Sequence, residues 1–168
     1  TREPGGTPAG EKLRRLVLGS RRRLHSETET LLMFAARREH LATVIGPALK
    51  TGTWVLCDRF TDATYAYQSG GSGVPWDKVS ALEQWVHPGL QPDLTILFDV
   101  SAAIGRQRAG RKRNPDRFER EQEAYYRRVR DGYRRRAAGD ASRIRIFDAQ
   151  GSPSEVRKKL EIILSSFS

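Results

Sequence analysis

The sequence of 168 residues predicts an α/β fold in which helices flank a parallel sheet. The prediction rests on three short runs with the length and pattern of strands, near 54–57, 93–100 and 143–148. The runs stand far apart, and helical patterns fill the sequence between them. Strands joined through helices make crossover connections, which place them parallel. We expect a single domain over 1–168, with enough chain to bury a core.

The first third of the chain is predicted to be a loop followed by two helices. Residues 1–10 are rich in Gly and Pro, which favours a surface loop. A short amphipathic helix is expected from Glu11. Ser26 and Glu29 have the spacing of a capping box and predict the start of a long helix. We expect that helix to bury Leu31, Leu32, Ala35, Leu41, Ile45 and Leu49, to be interrupted at Gly46-Pro47, and to end at Thr51-Gly52.

The segment 54–68 joins the first predicted strand to a group of polar side chains. Trp54–Cys57 is apolar and reads as a buried strand, with Cys57 as a small buried thiol. Asp58 and Arg59 follow at its carboxyl end, where open α/β sheets bind ligands. A solvated ion pair at a surface strand end is the alternative. In a following helix, Thr64, Tyr67 and Gln68 would share one face.

The second half of the chain alternates helices with the other two strands. A Gly-rich loop is expected at 69–75, followed by a helix from about Trp76 to Val86. After the second strand, one helix should run towards Gly110 and another should start near Asp116. The last helix is expected over about Pro153 to Leu164.

The net charge of +10 indicates an anionic partner or a contribution to solubility. Residues 105–136 contain thirteen Lys or Arg against five Asp or Glu. A solvated helix face explains much of 127–136, but it explains less well the basic cluster around Gly110. A nucleic-acid-binding module is an alternative from another class. The cluster at 105–113 contains no aromatic residue on which bases could stack, so we expect no nucleic-acid partner.

The composition of the chain also predicts the cellular compartment of the protein. The sequence has no run of eighteen apolar residues and no signal-peptide pattern, so no membrane association is expected. A single cysteine excludes a disulfide within the chain, which fits a reducing compartment. We therefore expect a cytoplasmic protein.

Several arginines are candidates for phosphate binding, because a planar guanidinium matches the oxygens of a phosphate monoester. Arg14 and Arg59 each lie where a helix or strand meets a loop. On the long helix, Phe34 stands three or four residues before Arg37 and Arg38, so an aromatic ring and a guanidinium could face one cleft. Core packing is the alternative for Phe34.

Seven motifs occur in order along nearly the whole chain: Thr-Arg-Glu-Pro-Gly-Gly-Thr at 1–7, Glu-Lys-Leu-Arg at 11–14, Phe-Ala-Ala-Arg-Arg-Glu-His at 34–40, Cys-Asp-Arg-Phe-Thr-Asp at 57–62, Ala-Tyr-Gln at 66–68, Pro-Asp-Leu-Thr at 92–95 and Asp-Arg-Phe-Glu at 116–119. Together they resemble the thymidylate kinase family. The resemblance implies a P-loop nucleoside monophosphate kinase fold and a homodimer. It also implies transfer of the γ-phosphoryl group of ATP to dTMP with Mg²⁺.

The resemblance also implies roles for residues. Those at the acceptor nucleotide are Glu3, Arg14, Phe34, Arg37, Arg38, Arg59, Thr64, Tyr67 and Gln68. Arg14 and Arg59 match the arginines around the acceptor phosphate, and Asp58 matches the acidic residue beside the phosphates and the metal. Phe34 matches the aromatic residue that stacks on thymine, a position that Met33 could share. Either Arg37 or Arg38 would read the base, and Tyr67 would crowd the second carbon of the sugar and disfavour ribonucleotides.

The basic cluster coincides with the lid of the family, at about 105–117. The arginines implied to reach over the ATP phosphates are Arg106, Arg108, Arg111 and Arg113. One of them would act like an arginine finger supplied in cis. The catalytic candidates are therefore Asp58, Arg59, Arg111 and Arg113.

The sequence departs from the family pattern in two places. Ser69 and Ser72 stand where the family commonly has a glycine and an arginine. The P-loop pattern G-x-x-x-x-G-K-[ST], which cradles the β- and γ-phosphates, does not occur in the 168 residues. We therefore expect an N-terminally incomplete chain with little kinase activity by itself. A deoxynucleoside kinase of the same fold is the alternative, although arginines around a monophosphate would then have no role.

Overall fold

The computed structural model describes residues 1–19, 24–109, 118 and 121–165. Its sheet has two parallel strands, β1 (Thr95–Asp99) and β2 (Ile144–Asp148), paired in register from Thr95 with Ile144 to Asp99 with Asp148. The connection between them contains helices, as the wide spacing of the apolar runs predicted. The α/β class with parallel strands is confirmed.

Eight α-helices and two π-helical segments occur in the described part of the chain. Their bounds are α1 Pro8–Gly19, α2 Ser26–His40, π1 Leu41–Ile45, α3 Gly46–Lys50, α4 Thr61–Thr64, π2 Tyr65–Gly71, α5 Trp76–Val86, α6 Ala102–Ala109, α7 Glu123–Gly139 and α8 Pro153–Ser165. None of these helices is long and apolar enough to cross a membrane. Asp116, near which a helix was expected to start, lies outside the described residues, and the described helix α7 begins at Glu123.

The first predicted strand, Trp54–Cys57, is extended but is not a buried strand. Trp54 is 83% exposed and Leu56 is 89% exposed, whereas Val55, between them, packs against the core. Alternation of this kind means that only one face of the segment is covered. In the described residues its backbone is tied mainly to the N-terminal loop, through a parallel bridge between Arg2 and Asp58. The prediction of burial was therefore wrong for Trp54 and Leu56.

The long helix buries only part of the predicted stripe. Leu41 and Ile45 are buried as predicted. Leu31, Ala35 and Leu49 are exposed instead, while Met33 and Phe34 are buried. The interruption occurs in π1, before the predicted Gly46-Pro47, and the helix closes at Thr51 and Gly52 as expected. Ser26 and Glu29 do not form a capping box: the cap is His25, whose Nδ1 accepts a hydrogen bond from the backbone N–H of Glu27. Glu29 is 1% exposed and points into the protein.

Helix α7 packs closely against π2. A Cβ atom at Gly132 would lie 2.9 Å from the Cα atom of Ala66, and one at Gly70 would lie 2.8 Å from the carbonyl oxygen of Arg128. Two glycines thus allow the backbones of the two elements to touch. The segment 69–71, predicted as loop, is part of π2, and Ser69 is buried there with no hydrogen-bond partner for its Oγ in the described residues.

A buried ion cluster fastens the start of α4 to the sheet. Asp62 is 4% exposed and accepts hydrogen bonds from both terminal nitrogens of Arg143, at 2.7 and 3.0 Å. The Nε of Arg136, on α7, donates to Oδ1 of Asp62 at 2.9 Å. Because Arg143 immediately precedes β2, this cluster links the helix that carries Thr64 to both the sheet and α7.

Candidate acceptor-nucleotide cleft

An open cleft lies between the N-terminal loop, α1, α2 and α4 with π2. The space between these elements is about 450 Å³ when the open solvent at the mouth is counted. Three guanidinium groups line it, those of Arg14, Arg37 and Arg59. The other predicted residues in its wall are Glu3, Met33, Thr64, Tyr67 and Gln68. The structure thus brings together side chains that are up to 65 positions apart in the sequence.

Arg59 has a backbone conformation that is rare for a residue with a side chain. Its φ is 70°, in the left-handed region, which costs an L-residue roughly 1–2 kcal/mol. The Sγ of Cys57 donates a hydrogen bond to the carbonyl oxygen of Arg59 at 3.1 Å, and the guanidinium lies 5.1 Å from the ring centre of Tyr67. Strain of this kind is concentrated at functional sites.

Cys57 itself is poorly suited to be a nucleophile. Burial, followed by the nearby charge of Glu3, raises the pKa of its thiol to about 12. A reactive cysteine needs a lowered pKa. The expectation of an inert, largely buried thiol fits, although part of Cys57 remains accessible.

The N-terminal loop holds Arg14 at the edge of the cleft. Nη1 of Arg14 donates to the carbonyl oxygen of Pro4 at 2.9 Å, and the peptide bond before Pro4 is cis. The backbone N–H of Glu3 donates to the carbonyl oxygen of Asp58 at 3.0 Å, so the loop is also tied to the segment that carries Arg59. Arg14 and Arg59 therefore reach the cleft from two connected elements.

Arg37 is the arginine of the long helix that enters the cleft, whereas Arg38 is exposed. Arg37 is 3% exposed, and its Nε donates to Glu3 at 2.7 Å while its Nη2 donates to Oγ1 of Thr64 at 3.0 Å. Nη1 is buried and has no hydrogen-bond partner among the described residues. Buried donors are nearly always satisfied, so this nitrogen is a candidate contact for a ligand.

Phe34 does not line the cleft. It is 2% exposed and packs in a core cluster with residues such as Leu41 and Tyr65. Met33, one position earlier, is in the wall of the cleft. Neighbours on a helix point about 100° apart, so a one-residue difference decides which side chain faces a ligand. Phe34 instead lies under the guanidinium of Arg37, whose central carbon is 4.7 Å from the ring centre.

Aromatic residues fix the ring of Tyr67, and one of them was not among the predicted site residues. Phe118 lines the cleft and meets the Tyr67 ring edge-on, at 5.4 Å between centres. Tyr133, on α7, meets the same ring at 6.2 Å. The sequence placed Phe118 in a family motif but offered no signal that it would reach the cleft.

Gln68 is held by Glu29, the residue predicted to belong to a capping box. Nε2 of Gln68 donates to Oε1 of Glu29 at 2.8 Å, and both side chains are at most 2% exposed. Helical periodicity alone could not pair residues on α2 and π2, which are 39 positions apart.

His87 is a buried histidine behind the cleft. Its Nε2 contacts Oγ1 of Thr61 at 2.8 Å and its Nδ1 contacts the carbonyl oxygen of Leu90 at 3.0 Å. Because a carbonyl only accepts, Nδ1 carries the proton and Nε2 accepts from Thr61. Burial, followed by the charge of Arg37, lowers the pKa of His87 below its ordinary value.

The lowered pKa of His87 predicts a loss of stability in mild acid. The unfolded chain takes up a proton at His87 near its ordinary pKa of about 6.5, whereas the folded chain resists protonation until a lower pH. The contribution is thus fully present above pH about 6.5 and declines as the pH falls towards the folded value. Urea midpoints measured from pH 7.5 to 5 should fall more steeply for the wild type than for His87→Asn; parallel profiles would contradict this assignment.

The structure describes only some of the predicted lid arginines. Arg111 and Arg113 lie outside the described residues, and so does the side chain of Arg106, whose backbone belongs to α6. Arg108 donates to the carbonyl oxygens of Ala149, at 3.0 Å, and Gly151, at 3.2 Å. It thus fastens α6 to the loop after β2.

The described residues offer no preformed cage for a metal ion. No group of three or more His, Cys, Asp or Glu side chains converges within them. Asp58 is exposed beside Arg59. A single accessible carboxylate fits Mg²⁺, which keeps several waters and is commonly held by one or two carboxylates together with substrate phosphates.

Comparison with known proteins identifies the family. A thymidylate kinase family model matches residues 1–160. A thymidylate kinase from Methylobacillus flagellatus is 58% identical over 167 residues, covering 99% of this chain and 81% of the relative. One from Cupriavidus metallidurans is 56% identical over 166 residues, covering 99% and 82%. The crystal structure of thymidylate kinase from Ehrlichia chaffeensis superposes with a TM-score of 0.75 at 31% identity, covering 97% of this chain and 77% of that one.

The family match explains the parallel strands and the arginine-lined cleft together. Thymidylate kinases are nucleoside monophosphate kinases that use ATP to phosphorylate dTMP to dTDP, a step in nucleotide biosynthesis. The chain belongs to the thymidylate kinase family.

Proposed function

We propose that the cleft described above is the dTMP site of this chain. The observation that carries the proposal is the buried Nη1 of Arg37, a donor without a partner among the described residues, in a cleft that also holds Arg14 and Arg59. Two guanidiniums suit a phosphate monoester, and one buried donor suits a carbonyl of a base. We therefore propose that Arg14 and Arg59 bind the phosphate and that Arg37 binds the base.

The wall of the cleft supplies the remaining contacts. Met33, rather than Phe34, is proposed to pack against the face of the base, since a thioether makes favourable contacts with aromatic rings. Tyr67 is proposed to crowd the second carbon of the sugar. Thr64 accepts from Arg37 and so helps to orient the guanidinium. Glu3 is proposed to act through Arg37, whose Nε it binds.

The remaining proposed roles concern the transfer of the phosphoryl group, and they involve Asp58, Arg59 and the lid. When bound, Mg²⁺ would neutralise the charge that develops on the transferred phosphoryl group. We propose that Asp58 would help to hold this ion and that Arg59 orients the acceptor phosphate. The lid near 105–117 is proposed to supply a further guanidinium from Arg106, Arg108, Arg111 or Arg113.

We further propose that residues 1–168 form one thymidylate-kinase-like domain within a cytoplasmic homodimer that does not bind nucleic acid. The single cysteine supports a reducing compartment. The described chain exposes several large apolar side chains, including Leu31, Leu49 and Trp85, that a partner copy could cover. Sedimentation of the purified protein tests the dimer, and titration with duplex DNA at two salt concentrations tests the absence of nucleic-acid binding.

Calorimetric titration of the 168-residue chain with dTMP and thymidine tests the acceptor site. Binding is the appropriate measurement because the sequence has no P-loop pattern to hold ATP. We expect dTMP to bind at least tenfold more tightly than thymidine, since charge-assisted hydrogen bonds to phosphate contribute about 1.5–3 kcal/mol. Equal affinities would show that the arginines do not bind a phosphate here.

Two neighbouring arginines on α2 provide a matched pair of variants. Arg37→Lys keeps a charge beside Glu3 but loses the planar group, so dTMP affinity should fall roughly tenfold or more. Arg38→Ala removes an exposed side chain and should change the dissociation constant less than about twofold. The same titration measures both variants. A larger loss for Arg38→Ala than for Arg37→Lys would reverse the assignment of the base-reading arginine.

A further inference from the structure

The contact between Glu29 and Gln68 carries an inference about base specificity. Both side chains are buried, at 1% and 2% exposure, and the contact of 2.8 Å joins Nε2 of the amide to a carboxylate oxygen. Gln68 also lines the cleft. Glu29 therefore stands behind a residue of the proposed base pocket without lining the pocket itself.

The carboxylate of Glu29 determines which end of the Gln68 amide is available to a ligand in the cleft. An amide has an NH₂ end that donates and a carbonyl end that accepts, whereas a carboxylate oxygen accepts only. Glu29 thus binds the NH₂ end and turns the carbonyl end away from itself. Within the ranges that the structure describes, no group donates to Oε1 of Gln68. Exchanging the two ends would bring two acceptors together in a dry environment, which is unfavourable.

Arg37 provides the complementary group in the same cleft. Its Nη1 is a buried donor without a partner in the described part of the chain. A donor and an acceptor together match the imide edge of thymine or uracil, which presents a carbonyl oxygen and a ring N–H. Cytosine reverses this edge, because it has an amino group in place of the carbonyl and a bare ring nitrogen.

We propose that Glu29 is a positioning residue for base specificity: by fixing the amide of Gln68, it makes the cleft accept imide bases and reject cytosine. The proposal rests on the proposed dTMP site. Glu29 does not line the cleft, and it acts on the base through the orientation of Gln68.

The test compares the binding of dUMP and dCMP, which differ only at this edge, by calorimetric titration of the 168-residue chain. Glu29→Gln preserves the shape of the side chain but can donate as well as accept, so Gln68 is free to present either end. We expect dUMP to bind more weakly and dCMP more tightly, so that the preference for dUMP falls roughly tenfold. Glu27→Gln is the matched control on the same turn of α2. Glu27 is partly exposed and pairs with Lys78, so its replacement should leave the preference unchanged.

The double variant Glu29→Gln with Gln68→Glu separates orientation from general damage. Exchanging the two side chains keeps a complementary buried pair and again points an acceptor into the cleft, so the preference for dUMP should return. Equal weakening of dUMP and dCMP by Glu29→Gln, or no recovery in the double variant, would overturn the proposal while leaving the dTMP site in place. Failure of the wild type to bind dTMP would instead refute the proposed function.

Discussion

Arg59→Ala is expected to weaken dTMP binding by roughly 10- to 100-fold, because the guanidinium is proposed to donate charge-assisted hydrogen bonds to the phosphate. Thymidine has no phosphate, so its affinity should be nearly unchanged. The difference in affinity between dTMP and thymidine, measured by calorimetric titration, should therefore shrink in the variant. A parallel loss for both ligands would place Arg59 at the base or would indicate a damaged fold.

Arg59→Gly is the matched control, because it removes the same guanidinium but relieves the backbone. Glycine occupies the φ of 70° without steric cost. The glycine variant should lose dTMP affinity to the same extent as the alanine variant. It should nevertheless be more stable than the alanine variant by roughly 0.5–1 kcal/mol in urea unfolding, after allowing for the greater freedom of glycine in the unfolded chain. Equal stabilities would show that the conformation carries no strain.

Asp62→Ala is expected to cause the largest loss of stability, about 3–5 kcal/mol, because it leaves the buried Arg143 without its main counter-charge. Arg136 loses a partner at the same time. Urea unfolding monitored by circular dichroism measures the loss. Asp140→Ala is the control: Asp140 contacts the same arginine at 2.8 Å, but its side chain is 38% exposed, so a much smaller loss of stability is expected than for Asp62→Ala.

The pH dependence of Asp62 provides an independent measurement of the same cluster. Burial alone would raise the pKa of Asp62, but the hydrogen bonds and charges of Arg143 and Arg136 outweigh it and lower the pKa. The stabilisation is therefore present above the ordinary pKa of about 3.9 and is lost as the pH falls through the lower folded value. A stability difference between the wild type and Asp62→Ala that is the same at pH 3 and at pH 7 would contradict an ionic origin.

The sequence predicted the parallel strands, most of the helices and the arginines of the cleft, because each has a local cause. Apolar runs of strand length and motifs of fixed spacing are visible without any tertiary contact. Arg14 and Arg59 were identified in this way, and the structure places both in the cleft. The family resemblance, carried by motifs along the chain, is confirmed by the family match over residues 1–160.

The rest depended on contacts that periodicity cannot resolve. The spacing could not decide whether Arg37 or Arg38 faces the cleft. The orientation of α2 about its axis decides it, because it turns Arg37 towards Glu3 and buries it. The same orientation of α2 places Met33 in the cleft and Phe34 in the core. Glu29 followed a local capping rule in the sequence, but a buried glutamine 39 positions away is its partner. Long-range partners of this kind decide side-chain roles without leaving a local pattern.

The way in which Arg37 is held has a consequence for affinity. A free arginine side chain gives up about 2 kcal/mol of rotamer entropy when a ligand immobilises it. In this chain Glu3 and Thr64 already hold two of its nitrogens, so most of that entropy is lost when the protein folds rather than when the nucleotide arrives. The proposed recognition of the base by Arg37 is thus prepared before a nucleotide binds, and the same side chain contributes both to the stability of the fold and to the proposed binding.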